Sequence, residues 1–318
     1  MKRRQQFVTE GYYKSMLVIF DEIIRGRAIK PLPGDTAEES AFRTSSENKD
    51  ILFMRLMLKY TAGEDISSLE EDLEVLIDAF ERFQKDFAVY EGVSNISPLN
   101  IEDAVFQYQE FVQIVGFCVL LHRRDLLGRF VALTDAAGFD GEDMLYEDLV
   151  KKVLPARYEI NEFYHELYRP LVESVYAESV HEKSKLLNDY CVGWYAAFAK
   201  IPNYWHDTHL SMTEEDGSYF GYWVVEAAAI AYLYDIDDSK IDHMVYPKDL
   251  VEYARSFTVK KVGGGPSKVY SGQKCTKAGY WFSPAMPDSR RYFNEGEVMP
   301  EFKGASWGAT IWYWSGEE

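Results

Sequence analysis

The sequence predicts a mainly α-helical protein with a small β-rich appendage at its C-terminus. Two observations lead to this fold class. Apolar residues recur every three or four positions through the first four-fifths of the 318 residues, which is the period of an amphipathic helix. Beyond about Val259, short aromatic and β-branched runs alternate with turn residues, which is typical of short strands. We therefore expect an aromatic-rich multi-helix bundle, or a loose helical repeat, followed by the appendage.

The clearest predicted helix begins at Ser67-Ser68-Leu69-Glu70, which has the pattern of a capping box. Its apolar stripe continues to Tyr90, and Gly92 then predicts the end of the helix. Asn100 predicts the cap of the next helix, in which the spacing repeats over residues 105–119. Similar stripes predict helices over residues 13–24, 51–60, 160–175, 186–201, 221–234 and 247–257.

The change of pattern divides the chain into two domains. Residues 1–258 form the all-α domain, with N-terminal helices in residues 1–180 and a second part in residues 181–258. The glycine-rich segment 263–266 predicts a hinge. The appendage, residues 259–318, is too short to hold a large core of its own, so we expect it to pack on the helices. Its strands are predicted at residues 268–270, 279–282, 291–293 and 309–314.

The charge of the chain is strongly negative, with 52 acidic against 34 basic residues and a net charge of −18. Such a surface repels phosphate backbones and anionic lipids, which argues against nucleic-acid and membrane binding. A basic macromolecule is the partner that the charge favours, although acidity also serves solubility alone. The acids are concentrated: residues 61–91 and residues 207–249 each contain ten acidic and two basic residues.

The cysteines and the N-terminus bear on the compartment. Three cysteines without a CxxC pair exclude a disulfide framework and a zinc ribbon. The basic start Met1-Lys2-Arg3-Arg4 is not followed by the apolar run of a signal peptide, and no apolar stretch is long enough to span a membrane. We expect a soluble, cytoplasmic protein.

Candidate catalytic residues are few. His206 and His209 lie three residues apart, and on a helix both imidazoles could bind one metal ion with Glu226 as third ligand. This gives one alternative, a helical metal-dependent hydrolase, although the HExxH pattern is absent. Glu226 lies in an apolar stretch, where a buried carboxylate must be paired or have its pKa raised, and this favours a structural role. We assign no catalytic residue, no metal and no cofactor.

An ordered set of motifs in residues 190–255 resembles the PoNi-type immunity proteins, which accompany secreted antibacterial toxins, notably nucleases delivered by type VI secretion. The motifs are Gly221-Tyr222-Trp223 with Glu226 after it, the segment 235–239, and Tyr246-Pro247-Lys248-Asp249-Leu250. The tail is similar to extensions on other polymorphic-toxin immunity proteins. Those often have Pro after the cysteine, where this chain has Thr276.

The resemblance implies a non-enzymatic protein that binds its cognate toxin and blocks it. A nuclease presents a basic cleft to nucleic acid, and an acidic surface can occupy that cleft and speed association. The motif residues are expected to hold the fold: Trp194, Trp205, His209, Gly221, Trp223, Glu226, Tyr246, Pro247 and Asp249. Charge clustering predicts the toxin-binding residues among exposed acids: Glu214, Glu215, Asp216, Asp237, Asp238, Asp242, Glu70, Glu71, Asp72 and Glu74. A second alternative is a helical scaffold that binds an unrelated protein.

Overall fold

The computed structural model describes residues 2–256, 268–283, 289–302 and 310–316. The chain divides into two compact units, Met1–Ser256 and Phe257–Glu318. The first unit is built from helices and the second contains an antiparallel sheet, which confirms the predicted fold class. The predicted hinge at residues 263–266 lies outside the described residues. In the part of the chain that is described, no helix is long and apolar enough to cross a membrane.

Ten α-helices form the described part of the first unit. Their bounds are α1 Glu10–Ile29, α2 Ala37–Ala62, α3 Leu69–Glu91, α4 Val105–Leu120, α5 Arg124–Asp135, α6 Met144–Val150, α7 Arg169–Tyr176, α8 Val180–Phe198, α9 Val225–Leu233 and α10 Lys248–Ser256. Short 3₁₀ turns lie at Ile66–Ser68, Glu166–Tyr168 and Thr208–Leu210. The predicted helices at 13–24, 51–60 and 186–201 correspond to α1, α2 and α8, and α5 and α6 were not predicted.

Helices α4 and α9 form the centre of this unit. Every residue of α4 from Tyr108 onward is buried, as is α9 from Val225 to Ala231. Apart from a few buried polar residues both helices are apolar on all sides, which is typical of a helix inside the protein, and they pack on each other. Their contact is close at Gly116, where an added Cβ would lie 3.0 Å from the Val225 backbone oxygen.

Two predicted helix caps are wrong. The capping box predicted at Ser67 does not form, because the Ser67 hydroxyl donates to Asp65, which caps the 3₁₀ turn Ile66–Ser68. Ser68, immediately before α3, makes no side-chain cap bond. The Asn100 side chain accepts from the Asp103 N–H and thus caps a turn that precedes α4. The end of α3 is confirmed, since Gly92 adopts the left-handed conformation with φ of 70°.

Two predicted helices begin later than expected. In the segment 160–175, only residues from Arg169 onward are α-helical, because the preceding stretch is held by Asp143, whose carboxylate accepts from the Tyr164 N–H at 2.8 Å. In the segment 221–234, the helix begins at Val225. Apolar spacing predicted helix in both places, but buried side chains of irregular segments produce the same spacing.

The second unit contains one four-stranded antiparallel sheet in the order β1-β4-β2-β3. The strands are β1 Lys268–Tyr270, β2 Gly279–Phe282, β3 Arg291–Phe293 and β4 Ile311–Gly316. The first three match the prediction, and β4 begins two residues later than predicted, with residue 309 outside the described residues. A small core of its own contains Val269, Cys275, Trp281, Phe293, Met299 and Trp312. That this unit packs on the helices stays a prediction.

Candidate functional site

The buried carboxylate of Glu226, in the first turn of α9, is the centre of a polar network inside the helical unit. Its Oε1 accepts from the Tyr190 hydroxyl at 2.6 Å, and the Gln109 amide nitrogen lies 3.4 Å from both of its oxygens. The Gln109 amide oxygen in turn accepts from the Tyr168 hydroxyl and the Trp194 indole N–H. Burial raises the pKa of Glu226 to about 7, and the hydrogen bonds from Tyr190 and Gln109 oppose that rise. The network therefore ties α4, α8 and α9 together.

The Gly221 and Trp223 motif fixes the extended segment before α9 to helix α2. The Trp223 indole N–H donates to the Thr61 hydroxyl at 2.8 Å, and that hydroxyl donates to the Phe220 carbonyl. Gly221 has φ of +118°, and a Cβ there would lie 2.1 Å from the Thr61 Oγ1. Only glycine fits this position, since both its backbone conformation and its close approach exclude a side chain.

The motif of residues 246–250 holds the start of α10 in place. The Asp249 carboxylate accepts from the Tyr60 hydroxyl at 2.6 Å and pairs with Arg4. Pro247 is buried immediately before the helix, where its missing N–H leaves no helical bond unmade. These contacts join α10 to α2 and to the N-terminal segment, which supports the structural role that the resemblance implied.

Asp238 is a correction to the predicted set of exposed acids. It is 4% exposed, accepts from the Tyr246 hydroxyl at 2.6 Å and pairs with the Arg255 guanidinium at 2.5 Å. Both carboxylate oxygens are therefore occupied within the fold. Asp238 belongs with the residues that hold the structure.

The two histidines do not lie on one α-helix. Asp207 between them has φ of 61°, and a 3₁₀ turn follows. The His206 Nε2 lies 3.1 Å from the Tyr195 carbonyl oxygen, whereas the His209 Nδ1 lies 2.7 Å from the Tyr222 hydroxyl. In the residues that the structure describes, no three His, Cys, Asp or Glu side chains come together as a metal site. The geometry gives no support to the hydrolase alternative.

Trp205 contacts His206 on one side and, through Trp194, the central network. Its ring stacks on Trp194 with the centroids 4.9 Å apart and the planes 10° from parallel. It also contacts Phe198, with a centroid distance of 5.0 Å. The aromatic motif residues thus fill the core, as expected for residues that hold the fold.

The predicted acids on α3 are largely occupied by neighbouring side chains. Asp72 is buried and receives both a bidentate bond from the Lys59 ammonium and an ion pair from Arg55. Glu74 pairs with Arg123 at 3.0 Å. Glu70 is half-buried and accepts from a tyrosine hydroxyl on α10. Of the four predicted α3 acids, Glu71 alone is exposed without an ion pair or hydrogen bond to another described residue.

A second group of acids keeps its charge exposed. We call them the loop acids: Glu214, Glu215, Asp216, Asp237 and Asp242. All five are exposed, and none pairs with a Lys or Arg among the described residues. The Asp237 carboxylate accepts from the Ser239 N–H at 3.0 Å, and hydrogen bonds from the Ser239 side chain and backbone lower its pKa. Glu214 Oε2 accepts from the hydroxyl of Thr9, the residue before α1, at 2.8 Å. These five carboxylates therefore have no cationic partner of their own chain among the described residues.

Two exposed apolar residues accompany the loop acids, and sequence reasoning missed both. Leu210 is 74% exposed at the end of the 3₁₀ turn that leads into the loop of Glu214. Met244 is 42% exposed two residues after Asp242. An apolar residue within a polar, acidic loop was the signal that could have identified them. Both residues lie within four residues of a loop acid in the sequence.

Comparisons with known proteins bear on the family and the fold of this chain. Residues 141–250 match the family model of PoNe immunity proteins (PoNi), C-terminal, which confirms the resemblance seen in the motifs. The crystal structure of protein PA2201 from Pseudomonas aeruginosa is similar to this chain with a TM-score of 0.59 and 19% identity. That similarity covers 80% of this chain and 92% of the other, and it shows a shared fold. No curated protein matches the chain.

Proposed function

We propose that this PoNi-like chain is an immunity protein that binds a cognate secreted antibacterial toxin, a nuclease, and neutralises it by covering its basic substrate-binding surface. The match of residues 141–250 to the PoNi family model is the observation that carries the proposal. In this function the chain is a binding protein that needs no catalytic residue and no cofactor. It acts in the cytoplasm, where the toxin would otherwise reach its substrate.

The loop acids supply the electrostatic part of the proposal. A nuclease binds phosphates through Lys and Arg side chains, so an acidic protein surface competes for the same groups. Acids that already pair with a cation of their own chain must first break that pair, whereas the loop acids have none to break. Their unscreened field also increases the association rate with a basic partner.

Leu210 and Met244 supply the apolar part of the proposed interface. Most of the binding energy of a protein interface comes from a few side chains that become fully desolvated. Both residues are exposed in the free protein and lie close in sequence to the loop acids. The motif residues contribute indirectly, because Glu226, Trp223 and Asp249 fix the segments from which the loops project.

Co-expression with the toxin encoded beside this chain tests the proposal. We expect this chain to restore the growth of cells that express the toxin, and to co-purify with it. A catalytically inactive toxin should co-purify equally well, because binding and not degradation is proposed. Persistent toxicity together with failure to co-purify would contradict the proposal and favour a scaffold for an unrelated protein.

A further inference from the structure

A cavity of about 360 Å³ lies between α2, α3 and α4. None of the loop acids lines it, and of its lining residues only Tyr204 belongs to the segment that matches the family model. Its charged side chains are Lys49, Asp50 and Glu110, and its aromatic walls include Phe106 and Tyr204. The Asp50 side chain and Tyr204 are each 46% exposed and mark its mouth. Glu110 is 5% exposed and marks its inner end. The volume lies in the range of ligand-binding pockets.

Glu110 is the unusual member of this cavity. Its Oε1 is buried without a hydrogen-bond partner among the described residues, and the closest cation, the Lys49 ammonium, is 3.9 Å away. Lys49 is engaged elsewhere, since it donates to Asp50 at 2.5 Å and lies over the rings of Phe80 and Phe83. Burial raises the pKa of Glu110 to about 7 even though Lys49 opposes the rise. An unsatisfied buried carboxylate is costly to the folded state.

A cationic group would complete this arrangement. The cavity holds two carboxylates and one ammonium, so one more positive charge balances it. The N–H groups of that cation are the donors that the Glu110 oxygen lacks, and the rings of Phe106 and Tyr204 suit a planar guanidinium. An anion would meet both carboxylates, and an apolar group would leave Glu110 unsatisfied.

We propose that the cavity accepts the guanidinium of an arginine side chain that the bound toxin presents, with Glu110 and Asp50 as its partners. The inference rests on the proposed function for the source of that side chain, because a nuclease surface is rich in Arg. The proposed interface would then include, besides the loop acids, a pocket for one arginine side chain. Fully desolvated arginines are prominent among interface hot spots.

Binding of a model side chain to the full-length protein tests the cavity without the toxin. The probes are N-acetyl-arginine amide and N-acetyl-citrulline amide, which share one shape and differ in charge. We expect the arginine probe to bind at least tenfold more tightly by calorimetry. Glu110→Gln should reduce this ratio below threefold, while Glu22→Gln, the same charge change at an exposed site, leaves it unchanged. Equal binding of the two probes to the wild-type protein would overturn the proposal.

A second variant keeps the buried charges intact and tests the source of the cation. Ser46→Trp places a large ring in the cavity lining and should abolish binding of the arginine probe and weaken the toxin complex at least tenfold. Loss of probe binding with an unchanged toxin complex would show that the cavity serves a free cationic molecule and would overturn the toxin as source. If the wild-type chain does not bind the toxin at all, the proposed function fails, whereas the probe result stands on its own.

Discussion

The two acidic segments contain the same numbers of acidic and basic residues, but they differ in how many of the acids pair with Lys or Arg side chains. Residues 61–91 and residues 207–249 each contain ten acids and two bases. In the first segment, five acids contact a Lys or Arg side chain: Asp72, Glu74, Asp78, Glu81 and Asp86. In the second segment only Asp238 and Asp249 do so within the described residues, and both hold the fold. Net charge therefore does not distinguish the two segments, whereas the pairing of their acids with Lys and Arg side chains does.

The largest expected effect concerns the fold that supports the second segment. Gly221→Ala should lower the free energy of unfolding by about 3 kcal/mol, because the alanine would be strained at positive φ and would collide with Thr61. Gly193→Ala is the matched control, since a Cβ there meets nothing within 4 Å in the middle of α8. It should stabilise the protein by about 0.5–1 kcal/mol. Urea unfolding measures both, and equal effects would refute the structural role of the motif.

The second prediction tests whether the loop acids, and not the total charge of the chain, determine toxin binding. Glu215→Lys combined with Asp242→Lys should weaken toxin binding at least hundredfold, which is about 2.7 kcal/mol. The control is Glu71→Lys combined with Glu91→Lys, which makes the same charge change on α3. All four side chains are exposed and have no hydrogen bond or ion pair with another described residue. We expect less than a threefold change for the control, and similar losses in both variants would show that only total charge matters.

The pH dependence of stability tests whether the pKa of the buried Glu226 carboxylate is raised. The pKa of Glu226 is raised in the folded protein to about 7 from an ordinary value of 4.5, so the folded state binds the proton more tightly. Stability should therefore fall as the pH rises from about 4.5 to 7, by at most about 1.4 kcal/mol per pH unit from this group. Glu226→Gln should reduce that slope, and Glu71→Gln should not. An unchanged slope for Glu226→Gln in urea unfolding at pH 5, 6 and 7 would contradict the assignment.

The smallest effect is expected where the α3 acids are neutralised. Arg129→Ala removes the partner of Asp78 and Glu81, and because these pairs are partly exposed it should cost only about 0.5–1 kcal/mol of stability. Toxin affinity should change less than threefold, because this face is outside the proposed interface. A marked gain in affinity after the two acids are freed would move the interface to α3.

A feature could be predicted from the sequence when it depends on residues that lie close together in the chain. Apolar periodicity and the motif order depend on residues close in sequence, and they predicted the fold class and the family resemblance. The burial of Asp238 depends on Arg255, and that of Asp72 on Lys59 one helix earlier. Such partners are distant or lie across a turn, so no local pattern separated these buried acids from the exposed ones.

The cavity at Glu110 was missed for a related reason. Helix α4 has four polar residues, of which Gln107 is partly exposed and Gln109, Glu110 and Gln113 are buried. Three polar residues in a buried helix are a signal that sequence alone contains. The sequence does not show what each of them contacts. Gln109 donates to Glu226 and Gln113 donates to the Trp223 carbonyl, whereas Glu110 lines the cavity.

Competition with nucleic acid tests the central claim most directly. A catalytically inactive form of the toxin is bound to a labelled DNA fragment, and this chain is then added while fluorescence anisotropy is followed. We predict that the wild-type chain displaces the DNA stoichiometrically, and that the Glu215→Lys and Asp242→Lys variant does not. A ternary complex in which DNA stays bound to the inhibited toxin would contradict the claim that the loop acids cover the basic surface.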